Sequence, residues 1–212
     1  MINRELYMEQ ITPFIDKPFV KVITGIRRCG KSVVLRLIRE ELLRRGVSED
    51  HIIYMNFESF EWMDVKEAKA LYTYIREVTK VSGKYYILLD EIQEVTDWEK
   101  AVNAFLVDLD ADIYVTGSNS RLLSSEFSTY LAGRYVAFHI MTLSFREYLL
   151  FHNVPLAISA SDRKAEFLKY LRMGGFPAIH TANYDYNAIY KIVYDIYSSV
   201  ILRDTVQRHG IR

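Results

Sequence analysis

The chain has 212 residues, of which 50% are hydrophobic and 14% aromatic, a length and composition that suit one cored domain with a small appendage. Lysine plus arginine equals aspartate plus glutamate at 27 each, which gives no overall basic signature for nucleic acid, and no run of about 18 apolar residues offers a membrane span. The single cysteine excludes an internal disulfide and suits a reducing cytosol. The opening Met-Ile-Asn-Arg-Glu-Leu-Tyr-Met-Glu-Gln lacks the apolar segment of a signal peptide, so the expected location is cytoplasmic.

In chain order, a helix is expected over about 4–15, ended by Asp16-Lys17-Pro18, and then a short β-branched strand at about 19–24. Residues 25–32 follow as Gly-Ile-Arg-Arg-Cys-Gly-Lys-Ser, a complete G-x-x-x-x-G-K-[ST] loop. A glycine turn before a basic helix is the plain alternative. The strand–loop–helix context favours a phosphate-binding loop in which successive backbone N–H groups turn toward phosphates. Gly25, Ile26, Arg27, Arg28, Cys29, Gly30, Lys31, Ser32 and Val33 are therefore the candidate nucleotide-binding residues. Within that set Lys31 reaches the β- and γ-phosphates and the Ser32 hydroxyl serves Mg²⁺. Val33, Val34, Leu35, Leu37, Ile38, Leu42 and Leu43 recur near helical spacing, predicting a helix at about 32–45 that Gly46 stops. The amino terminus of that helix adds partial positive charge at bound phosphate.

Further strands are expected at His51–Phe57, Tyr85–Asp90, Ile113–Thr116 and Tyr135–Met141, with helices at about 64–80, 97–109 and 120–132. The alternation predicts an α/β fold of P-loop type, a five-stranded parallel sheet covered by helices on both faces, with ligand beyond the carboxyl ends of the strands. Ile87-Leu88-Leu89 ends in Asp90-Glu91. A strand emerging beside the phosphate loop delivers Asp90 to Mg²⁺, and Glu91, past the strand end, meets the attacking water. The fourth strand leads into Thr116-Gly117-Ser118-Asn119-Ser120, where Asn119, with Ser118 as rival, senses the γ-phosphate or instead caps the next helix.

After residue 142 the strands stop, and helices at about 144–152, 162–173 and 184–208 predict a small helical lid or linker. The expected division is thus a core of residues 1–142 and a helical segment of 143–212. Tyr190, Tyr194 and Tyr197 share one face of the last helix, and packing is the first expectation for them, a partner face the second.

The ordered set Ile23–Ser32, Leu89-Asp-Glu-Ile-Gln93, Thr116–Ser120, Leu131-Ala-Gly-Arg134, Leu143–Leu149, Gly174-Gly-Phe-Pro177, Arg203-Asp204 and Arg208-His209 resembles the prokaryotic AAA+ superfamily ATPases that pair an ATPase domain with a nuclease-like carboxy-terminal domain. The resemblance implies ATP/ADP and Mg²⁺ as ligands, and Arg134 as an arginine finger acting on a neighbouring subunit of a homo-oligomer. It also makes Arg172 a weak candidate for a lid arginine. Ala178 departs from the acid expected there, and the resemblance implies a carboxy-terminal domain beyond these 212 residues, so that the expectation for them is an ATPase half. The leading expectation is an ATP hydrolase with Lys31, Glu91, Asn119 and Arg134 in catalytic roles and Ser32 and Asp90 at the metal. A nucleotide-gated assembly module that hydrolyses little, and the ATPase half of a nucleic-acid-processing protein, are the alternatives.

Overall fold

The computed structural model describes residues 3–118, 131–181 and 184–200. The chain divides into two compact units, one formed by Asn3–Gly25 and Lys31–Ile140, the other containing Ile26–Gly30 and the chain from Met141 onward. Residues 120–130 of the helix expected over 120–132, and the part of the expected last helix beyond Val200, lie outside the described residues, as do Asn119, Arg203-Asp204 and Arg208-His209; residues 131 and 132 are not helical.

The first unit is a five-stranded sheet in the order β2-β3-β4-β1-β5. Its strands are β1 (Val20–Gly25), β2 (Ile52–Asn56), β3 (Tyr85–Asp90), β4 (Ala111–Ser118) and β5 (Tyr135–Ile140). Every pairing is parallel, so all strands deliver their carboxyl ends to one edge. Parallel strands need crossover connections, and helices supply them. They are α2 (Lys31–Arg44), α3 (Ala68–Val78) and α4 (Trp98–Asp108), while α1 (Glu5–Ile11) precedes the first strand. Strand side chains alternate between the two faces. Val20, Val22, Met55, Ile87, Leu89, Ile113 and Val115 form one face and pack with Leu71 and Ile75 of α3 and Val102 and Phe105 of α4. Burial of each such side chain contributes about 1.5–3 kcal/mol.

Local chemistry sets the ends of these elements. Past Arg44 the Gly46 N–H donates to the Leu43 carbonyl and the Val47 N–H to the Leu42 carbonyl. Gly46 itself has φ 87°, the left-handed cap the sequence implied. The first helix is shorter than expected. Pro13 lies in a 3₁₀ turn, Thr12–Phe14, that ends it. Helix α3 starts at Ala68 rather than 64, because Glu67 is extended and bridges Thr96 in parallel.

Lys21, the second residue of the interior strand β1, is fully buried and pairs with buried Asp112 on β4. Asp112 also accepts from the Tyr114 hydroxyl and the Asp16 amide, each at 2.8 Å, and Lys21 Nζ donates to the Lys17 carbonyl at 2.9 Å. Burial pushes the Lys21 ammonium below its ordinary range, and the Asp112 charge opposes that shift. The pairing register places this network near the amino end of the sheet, away from Asp90.

The second unit is helical where it is described beyond Met141, with α5 (Phe145–Phe151), α6 (Ala160–Met173) and α7 (Tyr186–Val200). Ser144 and Glu147 form a reciprocal capping box that starts α5. Gly175 is required by close approach, since a Cβ there would lie 2.6 Å from the Leu143 carbonyl oxygen. His152 Nε2 and His180 Nδ1 lie 3.0 Å apart, and the other His180 nitrogen meets the Gly174 carbonyl at 2.8 Å. The first expectation for the tyrosines of α7 is corrected. Ile189 and Ile196 are the buried residues, whereas Tyr190, Tyr194 and Tyr197 are 74%, 60% and 62% exposed. The helix turns its aliphatic stripe inward and leaves the tyrosines outside.

Candidate nucleotide site

Three residues at or beyond strand ends are tied together by one hydroxyl. Asp90 closes β3 and is completely buried. Thr116 of β4, the neighbouring strand, donates its hydroxyl to Asp90 Oδ1. The Thr116 hydroxyl oxygen in turn accepts the Glu91 amide hydrogen at 2.9 Å. From the other side, the Tyr54 hydroxyl of β2 donates to Asp90 Oδ2 at 3.0 Å. Burial first, and then the Asp90 charge, pushes the Tyr54 phenol well above its ordinary range, so it remains a donor.

Glu91 leaves the strand in the left-handed region, φ 54° and ψ 48°. For a residue with a Cβ this costs about 1–2 kcal/mol. Glu91 Oε1 lies 3.4 Å from Lys31 Nζ, and Oε2 accepts from Gln93 Nε2 at 2.6 Å. Lys31 is the first residue of α2 and is 4% exposed, so its ammonium sits at a helix amino terminus inside the protein. Next along, the Ser32 carbonyl accepts from Arg36 Nε at 3.3 Å.

In the loop joining β1 to α2, Gly25 has φ 153°, Arg28 φ 65° and Gly30 φ 102°. The Cys29 amide donates to the Ile26 carbonyl at 3.3 Å, closing a tight turn. Gly25 and Gly30 take backbone conformations that side chains disfavour, and Arg28 takes one that a Cβ tolerates at some cost. Arg28 is exposed, whereas the Cys29 thiol is fully buried, which makes it a filler of the loop rather than a reactive surface group.

Arg134 directly precedes β5, where the pairing of Tyr135 with Val20 marks the amino end of the sheet. It is exposed, and its guanidinium donates to Asn103 Oδ1 of α4 at 2.9 Å. A strand of six residues separates that end from the carboxyl edge, about 20 Å at the usual rise per residue. Arg134 is therefore remote from the Asp90 of its own chain. Arg172 is exposed in the last turn of α6. Asn119 lies outside the described residues, and Ser118 is the last residue of β4.

The donor set can be weighed against Mg²⁺. Among the described residues no three His, Cys, Asp or Glu side chains converge to hold a metal. Mg²⁺ in phosphate sites needs only one or two protein oxygens, with water and phosphate supplying the rest. A carboxylate has about four acceptor positions, so Asp90 retains capacity after its two hydroxyl donors. Ser32 and Asp90 fit that modest requirement. Thr116, Tyr54 and Gln93 were not selected from the sequence. The signal present was a threonine inside the apolar strand Ile113-Tyr-Val-Thr116, but its role depends on the order of β2, β3 and β4.

Comparison with known proteins gives a consistent family. A relative in Haemophilus influenzae, described as an uncharacterized protein, is 42% identical over the whole of this chain, which covers 52% of it. The Methanocaldococcus jannaschii protein MJ1544, also uncharacterized, is 35% identical over the whole chain, which covers 46% of it. The chain thus spans about half the length of these relatives. The solved structure of AMPPCP-bound DnaA from Aquifex aeolicus aligns over 98% of this chain and 66% of its own, with a TM-score of 0.52 at 14% identity, a likeness of fold. A family model described as an AAA domain matches residues 17–149, and with the order β2-β3-β4-β1-β5 and the loop at 25–32 this means that the chain belongs to the AAA domain family of AAA+ P-loop ATPases.

Proposed function

We propose that the chain is an ATP-binding, Mg²⁺-dependent ATP hydrolase whose nucleotide state drives a change of conformation or assembly. The observation that carries this reading is the coupled pair Asp90–Glu91, tied by the Thr116 hydroxyl, with the Glu91 carboxylate 3.4 Å from Lys31. The two adjacent carboxylates have different partners, Thr116 and Tyr54 for Asp90 and Lys31 and Gln93 for Glu91, which suits one to metal and the other to water. The loop from Gly25 to Gly30, with its positive φ angles, suits the inward turn of amides around phosphate.

In this reading Lys31 and the amino terminus of α2 take the β- and γ-phosphates, and Ser32 and Asp90 hold Mg²⁺, which supplies charge neutralisation on the phosphates. Glu91 accepts a proton from the water that attacks the γ-phosphorus. The bond from that phosphorus to the β–γ bridging oxygen breaks, and ADP leaves with the electron pair. Asn119 senses the γ-phosphate. Arg134, exposed and remote from its own Asp90, serves the site of a neighbouring copy. The first 142 residues act as the ATPase core and the helical remainder as lid or linker. A single, buried cysteine fits a cytosolic setting, and no described helix is long and apolar enough to cross a membrane. The neutral balance of 27 basic and 27 acidic residues gives a nucleic-acid partner no support.

The test is steady-state ATP hydrolysis with Mg²⁺ by the chain and its Glu91→Gln variant across protein concentration. The reading expects turnover that rises more steeply than protein concentration and falls by about 10²–10⁴-fold in the variant. Tight nucleotide binding without turnover at any concentration would instead favour a nucleotide-gated assembly module.

A further inference from the structure

Gln93 lies two residues beyond Glu91, in the single 3₁₀ turn Ile92–Glu94. Its amide can be placed in either of two orientations, but an ionised carboxylate only accepts, so Nε2 faces Glu91. The resulting contact, 2.6 Å to Glu91 Oε2, is short and charge-assisted. It leaves the Gln93 carbonyl oxygen buried with no hydrogen-bond partner among the described residues. That arrangement is unfavourable in isolation. The orientation of Gln93 is set by the carboxylate.

The two oxygens of Glu91 are therefore held differently. Oε1 meets Lys31, whose ammonium has another partner when phosphate is bound. Oε2 meets Gln93, which is attached two residues away in the same turn. The terminal torsion of a glutamate is broad, so a carboxylate without a fixed contact samples many orientations.

We propose that Gln93 is a positioning residue for hydrolysis: it keeps Oε2 of Glu91 engaged so that Oε1 is the oxygen presented to water when Lys31 turns to phosphate. The inference rests on the reading of Glu91 as the water-polarising carboxylate. Positioning of this kind acts on turnover and leaves ground-state nucleotide binding intact.

The experiment compares the intact chain with Gln93→Met, which keeps the length of the side chain and removes the donor, and with Gln93→Ala, Glu91→Gln and the double variant Gln93→Met/Glu91→Gln. Hydrolysis is followed with Mg²⁺ and ATP, and affinity with a fluorescent ATP analogue. Gln93→Met and Gln93→Ala are expected to lower kcat about 10–100-fold, the size seen when groups that orient reacting ligands are lost. KM and nucleotide affinity should stay within about twofold, because the contact to phosphate is untouched. The double variant should be no slower than Glu91→Gln alone, since Gln93 acts only through that carboxylate. Wild-type kcat in Gln93→Met, beside an inactive Glu91→Gln, would overturn the role of Gln93 and leave that of Glu91 standing. A parallel loss of affinity and kcat would also overturn it, in favour of a structural role. Full turnover by Glu91→Gln would remove the reading on which the inference rests.

Discussion

Thr116 and Asp90 stand on neighbouring parallel strands with the hydroxyl of one donated to the carboxylate of the other. The same Thr116 oxygen receives the Glu91 amide at 2.9 Å, so one side chain couples the proposed metal carboxylate to the turn that aims the proposed base. Thr116→Val keeps the shape and removes both contacts. It leaves a buried carboxylate one donor short, with an expected loss of about 1–3 kcal/mol in stability. Turnover is expected to fall about 10–100-fold, with a higher Mg²⁺ requirement, as for other partners of metal ligands. Urea unfolding and a Mg²⁺ titration of hydrolysis check the two parts separately.

At the other end of the sheet, Lys21 and Asp112 form a buried ion pair. Removing one partner leaves an uncompensated charge among apolar strands. Lys21→Met is expected to cost about 3–5 kcal/mol in urea unfolding. Adding Asp112→Asn should recover part of that loss, because the amide is neutral and its oxygen still accepts from Tyr114 and Asp16. A double variant less stable than Lys21→Met alone would contradict this account.

His180 gives the helical unit a pH dependence. Burial, the largest cause, pushes its ring below the ordinary value of 6.5, with the Gly174 carbonyl opposing and the His152 charge assisting. Unfolding then takes up a proton between the folded value and 6.5, so stability is present above that window and declines as pH falls through it. The slope from one group is at most about 1.4 kcal/mol per pH unit. Thermal unfolding of the chain and of His180→Gln at pH 7.5 and 5.5 should show a smaller difference in the variant.

Arg134 is exposed and lies at the opposite end of the sheet from its own Asp90. If it completes a neighbour's site, Arg134→Ala and Glu91→Gln are each inactive for different reasons. Mixing them allows a competent site to form from the Arg134 of one copy and the Glu91 of another. Partial recovery of hydrolysis in the mixture, at roughly a quarter of wild type for random pairing, is expected for a finger acting in trans. No recovery at any ratio, with association of the two variants verified, would rule the arrangement out.

Much of this architecture was legible locally. The run Tyr85–Asp90 is apolar until its final carboxylate, and the strand has the expected bounds. Gly46 marked the end of α2 for the conformational reason its φ of 87° bears out. Polar residues obscured other limits. Strand β4 extends from Ala111 to Ser118, beyond the expected 113–116, because Asp112 is satisfied by Lys21 on the neighbouring strand. The same long-range pairing explains why Lys21 could sit unremarked in an otherwise apolar strand. At the site, Lys31, Asp90 and Glu91 carried a motif, whereas Tyr54, Thr116 and Gln93 gain meaning only from strand adjacency or from one turn. The tyrosines of α7 misled because helical spacing marks a shared face without saying which face is buried, and aliphatic Ile189 and Ile196 took the inner one.

The sheet order has a temporal consequence during synthesis. Strand β1 is made first, yet its two neighbours are β4, starting at Ala111, and β5, ending at Ile140. On the ribosome, β2 and β3 can pair while β1 still has no neighbouring strand. Its backbone donors and acceptors and its apolar side chains must wait for roughly a hundred further residues to emerge. At about 5–20 residues per second that interval is on the order of five to twenty seconds. The strand that leads into the loop at 25–32 is thus the last of the three central strands to be enclosed, and until then its apolar side chains stay without a partner strand.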